Sequence, residues 1–254
     1  MTHYLAAVVD AWQESWDRQQ EAYLPNREHR IATMLDAVAA TTTDRPPAIL
    51  DLAGGTGTIS LRALTRFPTA EVTVLDQDPV LLALAEASLP DRAVIVTADL
   101  NSPAWTSGLP HHRYDAVLTA TALHWLTADR LTALYAEIRG ILRPGGILAN
   151  ADHMPDDGLP HLTKQLLAAE HTRREARYTT GAALSWRDWW TLVAADEHLA
   201  TLYARRERIY PTEHGNTDWT PPASWHLNAL RTTGYAETGL LWRGATDATV
   251  IAVR

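Results

Sequence analysis

A chain of 254 residues is long enough to bury a core without covalent staples, and the absence of cysteine excludes disulfides, thiolate metal sites and thiol nucleophiles. With 22 Lys and Arg against 30 Asp and Glu, the net charge of -8 repels a polyphosphate backbone and argues against nucleic acid as a partner. No apolar run approaches the roughly 18 to 20 residues that cross a bilayer, and no basic stretch precedes an apolar one at the start, so the expectation is a soluble, cytoplasmic protein with no membrane partner.

From Leu5 to about Thr41 apolar residues, Ile31, Met34, Leu35 and Val38 among them, recur at helical spacing, and Pro25 divides the run into two helices. The polar stretch Thr41 to Pro47 ends it. Short apolar runs then alternate with amphipathic segments. The predicted strands are Ala48 to Leu52, Glu71 to Leu75, Ala93 to Val96, Ala116 to Thr119 and Ile147 to Asn150. The predicted helices include Ile59 to Leu64, Val80 to Ser88 and Arg130 to Leu142. Such alternation means parallel strands joined by crossover helices, a doubly wound α/β sheet.

Beyond Asp152 the pattern becomes helix and loop. Helices are predicted over Leu159 to Arg177 and, opened by Ser185 and Asp188 in capping-box spacing, over Ser185 to about Arg208. A polar, turn-rich stretch from Pro211 to Pro222 follows, and Ala236 to Trp242 with Ala248 to Val253 reads as a strand pair. Ten Trp stand against one Phe, eight of them outside residues 45 to 150. The Trp of 186 to 225 and those at 12 and 16 suit either helix packing or a lid over a pocket. The expected organisation is an N-terminal helical cap (1–44), a ligand-binding core (45–152), a helical lid (153–225) and a C-terminal helix with a strand pair completing the sheet (226–254).

The run Asp51-Leu52-Ala53-Gly54-Gly55-Thr56-Gly57 follows a strand and opens a helix, so bare backbone can approach a ligand at the carboxyl edge of the sheet. It is not a dinucleotide fingerprint, because G-x-G-x-x-G laid on Gly55 ends at Ser60, and no Gly-Lys-Ser/Thr follows. Asp51 repels a pyrophosphate but accepts from an ammonium. Asp76, 25 residues on, is placed to accept both hydroxyls of a ribose. Asp78 before Pro79 reads as a helix cap. Asp99 and Leu100 suit an adenine amino group and ring.

Five ordered motifs, I-L-D-L-A-G-G-T-G, V-T-V-L-D-Q-D-P, A-D-L, Y-D-A-V-L-T-A-T-A-L-H-W-L and L-R-P-G-G-I-L, resemble those of the class I S-adenosylmethionine-dependent methyltransferases, and L-H-W-L with N-A-D-H-M is most similar to an actinobacterial small-molecule group. The resemblance implies a Rossmann-like fold with a mostly parallel seven-stranded sheet and an antiparallel C-terminal strand. S-adenosyl-L-methionine is the implied cofactor, S-adenosyl-L-homocysteine the product. It places Asp51, Ala53, Gly54, Gly55 and Gly57 at the methionine part, Asp76 with Gln77 at the ribose, Asp99 with Leu100 at the adenine, Thr119 in the pocket, and Arg30 on the methionine carboxylate. Ala53 stands where the family usually has glycine, a mild departure unless that residue needs a positive φ.

Methyl transfer requires mainly orientation and exclusion of water, and needs no metal. An acidic acceptor hydroxyl gains from a base, and two histidines, His124 and His153, lie at predicted strand ends. His153 is the favoured base, with Asp152 or another acid to orient it. His124 either shares this role or shapes the cofactor pocket. Tyr23, Trp125 and Trp189 are candidate contacts to a small-molecule acceptor. Arg173, Arg174, Arg177, Arg205, Arg206 and Arg208 form two basic clusters, read either as solvated faces paired with glutamates or as a site for an acidic substrate group. Two rival functions are a cofactor-binding protein that transfers no methyl and a nicotinamide-dependent oxidoreductase, which the missing third glycine disfavours.

Overall fold

The computed structural model describes residues 2–210 and 219–254. Its elements are α1 (Thr2–Tyr23), α2 (Arg27–Thr41), β1 (Ala48–Leu52), α3 (Thr58–Arg66), β2 (Glu71–Asp76), α4 (Pro79–Ser88), β3 (Val94–Thr97), β4 (Tyr114–Ala120), α5 (Ala128–Ile141), β5 (Leu142–His153), α6 (Pro160–Thr179), α7 (Trp186–Ala195), α8 (Ala200–Ile209), α9 (Ala223–Thr232), β6 (Glu237–Arg243) and β7 (Asp247–Val253). The seven strands form one sheet in the order β3-β2-β1-β4-β5-β7-β6. β1 to β5 are mutually parallel, and β7 runs antiparallel to both β5 and β6. This is the doubly wound sheet expected from the alternating pattern, with the seven strands and antiparallel C-terminal strand that the resemblance implies. Among the described residues no helix is long and apolar enough to cross a membrane.

Alternation along β5 sends Ile147, Ala149 and Ala151 into a core shared with Ile31, Met34 and Leu35 of α2, while Leu148 packs with Leu134, Ile138 and Leu230 of α5 and α9 on the other face. Burying both faces explains why the central strands are continuous apolar runs. β5 begins five residues earlier and ends three later than its apolar run. It therefore carries Pro144 and Gly145 near its start and brings Asp152 and His153 into the sheet, paired against Ala248 and Asp247.

The helix predicted over 185–208 is two helices. Ser185 caps α7, accepting from the Asp188 N–H at 3.2 Å. Asp196 then takes the N–H groups of His198 and Leu199 on its own carboxylate, a local turn that competes with helix continuation. Leu199 drops into a core with Trp16, Trp189, Trp190 and Val193. Asp78 caps α4 as its position before Pro79 predicts, accepting from Val80 and Leu81 N–H. Of the turn-rich stretch from Pro211 to Pro222, residues 211–218 lie outside those described.

The connection from β1 to α3 is built from unusual backbone. Gly55 and Gly57 have φ of 55° and 77°, in the left-handed region, and Ala53 joins them at 51°. The alanine departure is therefore not mild, since a Cβ at left-handed φ costs about 1 to 2 kcal/mol. Gly54 has ordinary φ but no room: a Cβ there meets Asp51 Cγ at 2.7 Å.

One buried ion pair ties the N-terminal helices to the far end of the sheet. Arg30, 2% exposed, donates to the carboxylate of Asp247 on β7 and, at 2.6 Å, to the Leu24 carbonyl, with its guanidinium 5.0 Å from the Trp242 ring centre. Removing one partner leaves an uncompensated buried charge. Asp247→Ala should thus lose about 3 to 5 kcal/mol in urea unfolding, and Arg30→Met with Asp247→Leu distinctly less. Ala53→Gly should gain about 0.5 to 1 kcal/mol in the same measurement, the relief of φ strain exceeding the added freedom of the unfolded chain. A loss on Ala53→Gly would contradict the strain assignment.

Candidate active site

Parallel strands end together, so the residues following β1, β2, β3, β4 and β5 gather along one edge. Asp51, one residue before the end of β1, is fully buried beneath the turn. One carboxylate oxygen accepts from Ser60 N–H at 3.0 Å and Ser60 Oγ at 2.7 Å, while Oδ1 is buried with no protein partner. Burial pushes its pKa up to about 7 against the Ser60 hydrogen bonds. Asp51 thus holds the turn from below, with one carboxylate oxygen left without a protein partner.

Asp76 ends β2 half-buried, and its oxygens receive the N–H groups of Gly55, Gln77 and Asp78 at 2.7 to 2.9 Å. This binds the carboxylate to the glycine turn. Burial pushes its pKa up despite these three bonds. Tyr210, at the end of α8, lies beside Gln77 and Asp76. Asp99 is exposed two residues after β3, held by Asn101 N–H at 2.8 Å, and Leu100 beside it is buried. Thr119 is fully buried in β4 with its hydroxyl unpartnered. The donor set is acceptor-rich carboxylate over bare backbone, which fits a ligand carrying ammonium, ribose hydroxyl and amino donors and not a pyrophosphate. The helix α1 lies against the same turn. Trp16 comes within 3.8 Å of the Cβ position of Gly55, and Gln13 donates to Thr58 Oγ1 at 2.9 Å.

At the ends of β4 and β5 the two histidines meet. His124 stands in a 3-10 turn, Leu123–Trp125, just past β4, and its Nδ1–H donates to both oxygens of Asp152 at 2.9 and 3.0 Å. Burial lowers the His124 pKa, but the Asp152 charge and hydrogen bond outweigh it and hold the ring above its ordinary value. Burial raises the Asp152 carboxyl, and His124 more than reverses this. His153 was expected to be oriented by Asp152 through its ring. Instead only its backbone N–H reaches that carboxylate, at 2.8 Å, because alternation along β5 turns the ring to the opposite face. Its Nδ1 is buried without a partner, and burial lowers its pKa. Asp152 orients His124.

Tyr23, at the end of α1, packs edge-on to His153 at 4.8 Å between ring centres and lies 6.3 Å from His124. Burial, with Asp152 nearby, pushes its pKa up, so the hydroxyl stays protonated. Trp125 is half exposed and 5.3 Å from the His124 ring. Two sequence candidates are engaged within the protein. Arg30 is occupied by Asp247, and Trp189 is fully buried in an aromatic core, 4.9 Å from both Trp16 and Trp190.

Several residues at this edge carry no sequence signal. Thr121, just past β4, has φ of 53°, a strained value for a β-branched residue, and its hydroxyl donates to Gln20 of α1 at 3.0 Å. Gln13, Gln19 and Gln20 are all buried on a helix whose polar residues would ordinarily be read as solvated. Behind Asp152 runs a buried chain in which Asn150 donates to the Tyr135 hydroxyl at 3.2 Å and Tyr135 donates to His226 Nδ1 at 2.7 Å. Burial holds His226 down to about 4, so it stays neutral.

Residues 49–146 match a family model described as a methyltransferase domain. Over 147 residues the chain is 33% identical to Trans-aconitate 2-methyltransferase of Methylobacterium radiotolerans, covering 58% of this chain and 52% of that protein. It is 28% identical over 129 residues to Malonyl-[acyl-carrier protein] O-methyltransferase of Halalkalibacterium halodurans, covering 50% of this chain and 47% of that one. The chain thus spans about half the length of these curated relatives. A longer match, 27% over 227 residues and 80% of the relative, is to Trans-aconitate 2-methyltransferase of Yersinia pestis. In fold the chain is similar to human N-acetylserotonin methyltransferase in complex with SAM, with a TM-score of 0.58, 16% identity, and 96% of this chain and 57% of that one covered. Strand order and the glycine turn agree with that match: residues 49–146 are similar to a methyltransferase domain, carried on a sheet whose fold is shared with human N-acetylserotonin methyltransferase.

Proposed function

We propose that the protein transfers the methyl group of S-adenosylmethionine to a small molecule, most simply to a hydroxyl oxygen, with His124 as general base. The observation that carries this reading is the His124–Asp152 contact at the sheet edge that holds the glycine turn. The cofactor, when bound, supplies a carbon already activated by its sulfonium. Asp76 and Gln77 would hold the ribose, Asp99 and Leu100 the adenine end, and the turn from Ala53 to Gly57 the methionine part, with Asp51 Oδ1 the acceptor left for its ammonium. Thr119 belongs to the same pocket in this reading. Transfer to O, N or C, the place of the acceptor in specialised metabolism and the expected actinobacterial small-molecule grouping are parts of the proposal. Names of relatives that act on small or carrier-bound acids support the acceptor class.

Asp152 fixes the His124 tautomer with Nδ1 protonated, which leaves Nε2 to receive a proton from the acceptor hydroxyl. His153, held neutral by burial, and the protonated Tyr23 then line the acceptor side as hydrogen-bonding groups rather than charges. The half-exposed Trp125 offers the acceptor a flat apolar wall.

His124→Ala should lower kcat about 10² to 10⁴-fold while S-adenosylmethionine still raises the melting temperature. Full turnover in that variant would sink the assignment of the base. Because a base must be neutral and the His124 pKa is raised above 6.5, kcat/KM in the wild type should rise with pH along a limb lying above 6.5. Asp152→Asn removes the charge that raises it, so the limb should move to lower pH as the maximal rate falls. An unmoved limb would assign the titration to another group. Labelled methyl donor offered with phenols, hydroxy acids and amines tests transfer itself, and tight cofactor binding with no product in any arm would favour a protein that only binds.

A further inference from the structure

Resting on that reading, the structure assigns Arg174 on α6 to the carboxylate of the acceptor: we infer that the acceptor is an acid, gripped by Arg174 beside Tyr23 and His153. Three other arginines of the two basic clusters have partners. Arg173 pairs with Glu170 at 4.0 Å, Arg177 donates to the Glu21 carbonyl at 3.1 Å, and Arg206 on α8 pairs with Asp78 at 2.8 Å. Arg174 is half-buried, yet among the described residues no carboxylate lies within ion-pair distance of it. Among those residues its one polar contact is to His171 Nδ1 at 3.5 Å, and its guanidinium stands 5.5 Å from the centre of the Tyr23 ring.

The nearby acids are already engaged. Asp152 is held by His124, Asp247 by Arg30, and Glu170 accepts from Thr246. A partly desolvated guanidinium with no counter-charge is unfavourable, and a cation–π contact offsets only about 1 kcal/mol of that. The groups next to it add donors rather than charge. The Tyr23 hydroxyl is protonated and makes no hydrogen bond within the described chain, and the His153 ring has an unpartnered nitrogen. A fixed fork of N–H donors beside two neutral hydrogen-bonding groups is matched by a planar carboxylate. Since Tyr23 also approaches His124, an acid bound there presents its remaining functional groups toward the base.

The methionine end of the cofactor carries a carboxylate too. The acceptor is favoured as its source because Arg174 stands over Tyr23, which packs on His153, whereas the glycine turn is faced by Gln13 and Trp16 of α1.

The test is calorimetric titration of the full chain, with and without S-adenosylmethionine, using 4-hydroxybenzoate and 3-hydroxybutyrate against their amides. In the wild type at least one acid should bind about tenfold or more tightly than its amide, the scale of a charge-assisted hydrogen bond. Arg174→Met should reduce that ratio to within twofold while circular dichroism and cofactor affinity stay unchanged, and Arg174→Lys should keep part of it. No acid preference in the wild type, or a preference that survives Arg174→Met, overturns the inference. So does a tenfold loss of S-adenosylmethionine affinity in Arg174→Met with the acid preference intact, which would give Arg174 to the cofactor. A wild type that prefers acids but neither binds nor uses S-adenosylmethionine would defeat the methyltransferase reading and leave the carboxylate site standing.

Discussion

A carboxylate buried at the carboxyl end of β5 sets the terms for everything around it. An unpaired charge at the position of Asp152, 2% exposed, costs several kcal/mol, and the structure meets this with His124 Nδ1–H and the His153 backbone N–H. For His124 to reach it, the 3-10 turn after β4 must stand over the end of β5, which the parallel register of the two strands, Ala120 opposite Ala151, provides. The same charge helps keep Tyr23 and Tyr135 protonated, while burial keeps His226 neutral despite it. What remains is one histidine–aspartate pair with the neutral Tyr23 and His153 beside it and Arg174 as the cation over the Tyr23 ring.

The glycine turn meets the opposite problem, of bringing backbone close without a side chain in the way. Asp51 occupies the volume that a Cβ at Gly54 would need, and Asp76 receives the Gly55 N–H, so two acids hold the turn from below and from the side. Ala53 in the left-handed region shows that the loop shape is imposed by these contacts and by α3, not chosen by local preference. Thr121 repeats the pattern at the end of β4. Strained backbone therefore occurs at two of the strand ends that form the candidate site.

Of the two readings open to the tryptophans outside the sheet, helix packing describes those of α1 and α7. Trp16, Trp189 and Trp190 pack edge-to-face into a core with Val80, Leu81 and Leu84, so α7 and α8 are fastened to α1 and α4. Arg206 lies 3.7 Å above the Trp190 ring while pairing with Asp78, which links this cluster to the cap of α4 and hence to Asp76 two residues before it. The aromatics beside the histidine pair are Tyr23 and Trp125, at the ends of elements, rather than the tryptophan stripe.

Read alone, the sequence determined the alternation of strands and helices, the glycine turn, the acids at the ends of β1 and β2 and after β3, the Asp78 cap and the strand pair at the end of the sheet. These are local: period, turn chemistry and strand-end position follow from residues a few places apart. The tertiary structure alone decided the rest, because it depends on which distant groups share a buried volume. It gave Arg30 to Asp247, 217 residues away. It gave Asp152 to His124 rather than to the ring of its neighbour, because successive strand residues face opposite sides. It also separated Arg174 from the other arginines of α6, a distinction of counter-charge that no spacing along one helix records.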